Sequence, residues 1–148
     1  MLKQFKTQSQ RKFNENIVPA NGKSPRRFFS YITYSMITGR QFAEMALSFS
    51  GTEQVPHFER LGFKVTGKRM FATYLEKDNT ANIFLTPKEQ AVFCQMDKAI
   101  YPVPNKWGEK GATTFELNRV PKHIVMEALL SAYNEVINTK GRKTKKDL

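Results

Sequence analysis

The chain has 148 residues and a mass of 17.1 kDa, enough for one domain with tails and short for two. Its apolar content of 40% can supply a core, no run nears the roughly 18 apolar residues that span a bilayer, and a single cysteine, Cys94, leaves no disulfide framework. The net charge of +11 is uneven: residues 1–40 carry eight bases and one acid, residues 138–148 carry five bases and one acid, and residues 41–137 balance at eleven of each.

Residues 1–37 read as a basic, mostly disordered arm, with turn formers such as Asn14 to Ser24 and no sustained periodicity. Two alternatives stand beside that reading: a transit segment, acid-poor but without a clean amphipathic stripe, and a translation start at Met36. Nothing near Met1 pairs a charged start with an apolar stretch, so a cytoplasmic location is expected.

Order is expected from Thr38. Thr38 with Gln41 fits a capping box, and Phe42, Met45, Ala46 and Phe49 follow as one helical stripe that Gly51 ends. Three strands come next. Phe63 and Val65 alternate with Lys64 and Thr66, with His57-Phe58 extending this strand. Gly67-Lys68 suits a type II′ hairpin turn, and Arg69 to Glu76 follows, with Met70, Ala72 and Tyr74 on one face and Phe71 and Leu75 on the other. After a turn at Asp78-Asn79, Ala81, Ile83 and Leu85 alternate with Asn82 and Phe84.

Thr86, Pro87 and Glu89 open a second helix, with Val92, Phe93 and Met96 as its buried stripe. Ile100 to Val103 is strand-like, Trp107 to Gly111 a loop, and Thr113, Phe115 and Leu117 a further strand. Pro121 begins a long last helix, with Ile124, Val125, Ala128, Leu129, Ala132 and Val136 inward. The domain is thus bounded at 38–137, with a basic tail over 138–148. The order α-β3-α-β2-α predicts an α+β, two-layer domain: an antiparallel sheet with helices packed on one face.

The segments Pro56-His57-Phe58-Glu59, Phe63-Lys64-Val65-x-Gly67-Lys68 and Met70-Phe71-Ala72-Thr73 resemble the opening of MmcQ/YjbR-like proteins. So do Tyr101-Pro102-Val103-Pro104-x-x-Trp107-Gly108-x-x-Gly111-x-Thr113 and Ala128-Leu129-x-x-Ala132-Tyr133, in the right order over about residues 38–137. The resemblance implies a fold similar to that of secretion chaperones and a DNA-binding role, with a two-winged sheet as the contact surface. This chain departs from the pattern at Glu109, where relatives are commonly basic, at Ala112, where an aromatic is common, and at Tyr133, where Trp is common.

Six residues are candidates for nucleic-acid contact. Lys64, Lys68 and Arg69 cluster on the first hairpin, where cations would replace condensed counterions; the commoner role of such residues is a solvated hairpin edge that discourages sheet-to-sheet aggregation, and that is the expectation. Trp107, flanked by Lys106 and Lys110, could stack a base; the commoner role of such a ring is to fold over the core, and that is the expectation. His57 and Phe58 are candidates to line a pocket, and a catalytic reading would set His57 beside Glu59 or Glu116. Cys94 reads as a small core residue.

Gly-x-Ser-x-Gly, Gly-rich phosphate-loop and HExxH patterns are missing from the sequence, and Cys94 has no histidine at a useful spacing, so no enzyme is expected. With two histidines and one cysteine, no metal or cofactor is expected either. The expected function is weak, non-sequence-specific DNA or other nucleic-acid binding by a monomer or weak dimer. The alternative is a protein- or small-ligand-binding module.

Overall fold

The computed structural model describes residues 36–140; most of the basic arm, residues 1–35, and the tail from 141 onward lie outside the described residues. The elements are α1 (Gly39–Leu47), β1 (Thr52–His57), β2 (Arg60–Val65), β3 (Met70–Leu75), β4 (Thr80–Phe84), α2 (Pro87–Met96), β5 (Ile100–Pro102), α3 (Lys106–Glu109), β6 (Ala112–Glu116) and α4 (Lys122–Asn138). The strands form one antiparallel sheet in the order β1-β2-β3-β4-β6-β5. With helices packed against it, the domain has the expected α+β architecture.

Both expected capping boxes form. Thr38 Oγ1 accepts from the backbone of Gln41 at 3.2 Å while Gln41 Oε1 accepts from the Thr38 N–H at 2.9 Å, and Thr86 and Glu89 repeat the arrangement at α2. Helix α1 ends at Leu47, earlier than Gly51 suggested. Ser48 caps it, and Gly51, at φ 72°, turns the chain into β1. The β2–β3 turn also differs: the Lys68 N–H donates to Val65, so Gly67 at φ 78° is the third residue of the turn, not its first free position.

The sequence reading gave one strand too few. His57 ends a strand of its own, β1, joined to β2 by Phe58 and Glu59. Its residues Thr-Glu-Gln-Val-Pro-His show almost no apolar alternation because β1 is an edge strand, where Pro56 is tolerated and little of the strand is buried.

Register divides the sheet into two faces. Phe63, Ala72, Ile83 and Thr113 form one cross-strand row, and Tyr74, Ala81, Phe115 and Ile100 the next on the same side. A register shift sets both Phe71 and Ala72 opposite Phe63, so Phe71 also turns to this side and Met70 to the other. All three longer helices pack on it. Phe42 of α1 meets Phe63 and Tyr74, Phe93 of α2 meets Phe115, and Tyr133 of α4 meets Phe71. Val125, Ala128, Leu129, Ala132 and Val136 of α4 are buried as expected. Helix α2 differs from expectation, since only Phe93 is buried while Val92 and Met96 are exposed. This helix lies mainly on the three-residue edge strand β5, which is too short to cover a full stripe.

Candidate functional site

The opposite face carries no described helix of comparable length, and its central row is polar. Register aligns Gly62, Thr73, Asn82, Thr114 and Tyr101 across five strands. Over this face lies a cavity of about 730 Å³, whose walls include the β1–β2 turn, the start of β3 and the segment between β5 and β6.

The β1–β2 turn supplies one wall. Phe58 is 95% exposed at φ 56°, a left-handed conformation that costs a bulky residue about 1–2 kcal/mol. His57 meets its ring edge-on, with centroids 4.8 Å apart. An exposed aromatic held in such a backbone marks the turn as a functional candidate rather than a packing element.

The second wall is the short helix α3. Asn105 caps it by accepting from the Trp107 N–H at 2.8 Å, and Gln90 of α2 donates to the carbonyls of Gly108 at 2.9 Å and Ala112 at 3.0 Å. The two glycines are fixed by contact. A Cβ at Gly108 would collide with the Val103 carbonyl, and one at Gly111, which has φ 110°, with the Leu85 carbonyl. Glycine therefore takes the packed place, and the indole of Trp107 is left 64% exposed on the outer side. The expectation that Trp107 covers the core is overturned. Lys110 lies over its ring, 5.4 Å from the centroid.

Between the walls, Arg60 donates from Nε to Thr73 Oγ1 at 2.9 Å, and Thr114 Oγ1 donates to Asn82 Oδ1 at 2.9 Å. Nη2 of Arg60 is buried and, among the described residues, has no hydrogen-bond partner. Burial lowers the Arg60 pKa, and the carboxylates of Glu59 and Asp78 oppose that change. At the far end of the polar row, burial and then the Glu116 carboxylate push the Tyr101 phenol up, so it stays protonated at neutral pH. The cavity lining holds three cations, Arg60, Arg69 and Lys110, against one carboxylate, Glu135.

The structure brings together five of the residues singled out from the sequence: His57, Phe58, Arg69, Trp107 and Lys110 all line the cavity. Lys64, Lys68 and Lys106 do not. Lys64 is half-buried on β2, an inner strand, so the hairpin is not the sheet edge that the expected role assumed. Lys68 Nζ donates to the Thr139 carbonyl at 3.4 Å, and Lys106 is exposed at the start of α3. Arg60, Thr73 and Asn82 went unnoticed in the sequence. Thr73 and Asn82 stand opposite each other in the register and Arg60 reaches Thr73 from β2, pairings that no local pattern in the sequence announces.

Elsewhere the chemistry is sparse. Cys94 is half-buried against the core, and burial pushes its thiol up, away from the reactive thiolate. Among the described residues no ion pair joins His57 to Glu59 or Glu116; Glu116 instead pairs with Arg119 at 3.2 Å. No group of three or more His, Cys, Asp and Glu side chains could hold a metal ion among the described residues, and no described helix is long and apolar enough to cross a membrane.

The YjbR family model matches residues 47–135, a stretch that contains both walls and the floor of the cavity, and the chain belongs to that family. Among curated proteins and among solved structures, none matches the chain.

Proposed function

We propose that this YjbR-family domain binds nucleic acid weakly, preferably single-stranded and with little dependence on sequence, and does no chemistry on it. The observation that carries this reading is the pair of exposed aromatics, Phe58 and Trp107, bordering one cavity with Arg60, Arg69 and Lys110. Stacking on an aromatic side chain contributes about 1–3 kcal/mol per base and tolerates any base, because every base has a π-face. Bases inside a duplex are already stacked on one another, so a groove of this kind favours a strand whose bases are free. Arg69 and Lys110 at the rim suit phosphates, and the charge excess of residues 1–40 and 138–148 adds attraction that is independent of sequence.

A second reading has an observation of its own. Met70, Phe84 and Val103 give the cavity an apolar lining, and its volume is in the range of small-ligand pockets, which suits a small-ligand- or protein-binding module. Salt separates the two readings, because phosphate contacts weaken steeply as salt rises while apolar contacts do not.

Fluorescence anisotropy of the full-length chain with labelled single-stranded and duplex DNA, at about 50 and 200 mM salt, tests the proposal. Tighter binding of the single strand, a marked loss at the higher salt, and a loss of about fivefold or more in Trp107→Ala are expected. Equal binding by wild type and Trp107→Ala would remove the groove from the account. Absence of binding to either DNA would leave the small-ligand or protein reading.

A further inference from the structure

We propose that the groove face is also a homodimer interface, in which the Phe58 ring of each copy inserts into the cavity of the other and Glu59 meets Lys110 across the contact. The inference goes beyond the nucleic-acid reading and does not depend on it. Both uses draw on the same two rings, so a dimer of this kind and a strand bound in the groove exclude each other.

Three observations carry it. The first is an exposed ring: Phe58 is 95% exposed in a left-handed backbone that disfavours a bulky side chain, so packing within the domain does not account for its position. The second is a cavity of about 730 Å³ with room for a ring, whose lining includes Met70, Phe84, Val103 and Trp107. The third is charge. Glu59, beside Phe58, is exposed and in no ion pair among the described residues, while the cavity lining holds Arg60, Arg69 and Lys110 against Glu135 alone. A phenyl ring with a carboxylate next to it fits that lining in both size and charge.

The topology makes this fit reciprocal. β2 begins at the β1–β2 turn, and the antiparallel pairs from β2 through β3 and β4 to β6 place the start of β6, with α3 just before it, at the opposite end of the sheet. The strand order also puts β1 and β5 on opposite edges. Phe58 and Trp107 therefore stand at diagonal corners of one face. A two-fold axis parallel to the sheet and at right angles to that diagonal sets each Phe58 against the inner side of the other copy's Trp107. It brings each Glu59 near the other copy's Lys110, which lies over that indole. One surface thus supplies both knob and hole, which favours a second copy of this chain over an unlike partner. Glu109, next to Lys110, offsets part of the attraction, and the net charge of +11 opposes association at low salt, so the dimer is weak.

The test is sedimentation velocity of the full-length chain, free of DNA, from about 5 to about 500 μM at about 200 mM salt, where repulsion between the basic segments is screened. The wild type is expected to pass from monomer to dimer with a dissociation constant on the order of tens of micromolar, and Phe58→Ala to weaken that by about tenfold or more. Glu59→Lys and Lys110→Glu should each weaken the dimer by about fivefold or more, by setting like charges across both contacts. An equimolar mixture of these two variants should associate about as well as the wild type, because only the mixed dimer sets opposite charges at both contacts. All three positions are exposed, so the variants leave the core untouched. A wild type that stays monomeric at the highest concentration overturns the proposal and leaves the cavity to an oligonucleotide or a small ligand. A mixture that associates no better than either variant alone also overturns it, as does a Phe58→Ala dimer as tight as the wild type.

Discussion

The two faces of the sheet are made by the same strands and do opposite work. On the helix-covered face, Phe63, Phe71, Ile83 and Phe115 are fully buried, and the rows continue into Phe42, Phe93 and α4. On the other face the corresponding row reads Gly62, Thr73, Asn82, Thr114 and Tyr101, bordered by two aromatics that the fold leaves exposed. Alternation along each strand lets stability and binding be written into one segment without competing for the same positions. The register shift at Phe71 and Ala72 is the one place where β3 departs from that rule: it gives Phe71 to the core and Met70 to the groove.

The comparison can be broken by substitutions that act on one face only. Phe115→Ala, on the covered face, is expected to cost about 3–5 kcal/mol in urea unfolding, the cost of removing a large buried aromatic. Oligonucleotide affinity, measured on the fraction still folded, should not change. Phe58→Gly sharpens the contrast because it moves the two properties in opposite directions. Glycine relieves the left-handed backbone and should raise stability by about 1 kcal/mol, while the loss of an exposed ring weakens single-strand binding by about fivefold or more. A Phe58→Gly protein that is both less stable and equally good at binding would contradict the division of labour.

Smaller effects follow at the edges. Thr38→Ala removes the α1 cap and should cost about 1 kcal/mol in the same unfolding assay, with binding preserved. Lys110→Gln leaves Trp107 in place but removes the cation above it. Stability should stay within about 0.5 kcal/mol, and the slope of log affinity against log salt should fall by about one contact.

Much of this architecture is legible in the residues. Thr38 with Gln41 and Thr86 with Glu89 mark two helix starts by local chemistry, and the spacing of Val125, Ala128, Leu129, Ala132 and Val136 marks the face that α4 buries. Local signals fail where the fold is decided by distant partners. β1 carries too little apolar alternation to announce itself, so His57 and Phe58 read as an extension of the next strand, and the turn that sets Arg60 at the start of β2, within reach of Thr73, is invisible. Val92 and Met96 have the right spacing for a buried stripe, but the short β5 offers them nothing to pack against. Trp107 misleads in the same way: the contact between Gly108 and the Val103 carbonyl, known only from tertiary structure, decides that the ring faces out. Phe58, Trp107, Arg69 and Lys110 were visible one by one, whereas Arg60 was not, and the convergence of all five on one cavity required the register of the sheet.

Trp107 is the only tryptophan in the chain, so its emission reports on the groove and nothing else. The most direct test of the account is therefore a titration of the full-length protein with unlabelled oligo-dT, following intrinsic tryptophan fluorescence alongside the anisotropy of a labelled copy. A base stacking on the exposed indole should quench the emission, and the quenching should saturate at the concentration that saturates the anisotropy. Binding seen by anisotropy with the tryptophan emission unchanged would contradict the account, and would assign the affinity to the basic segments outside the groove.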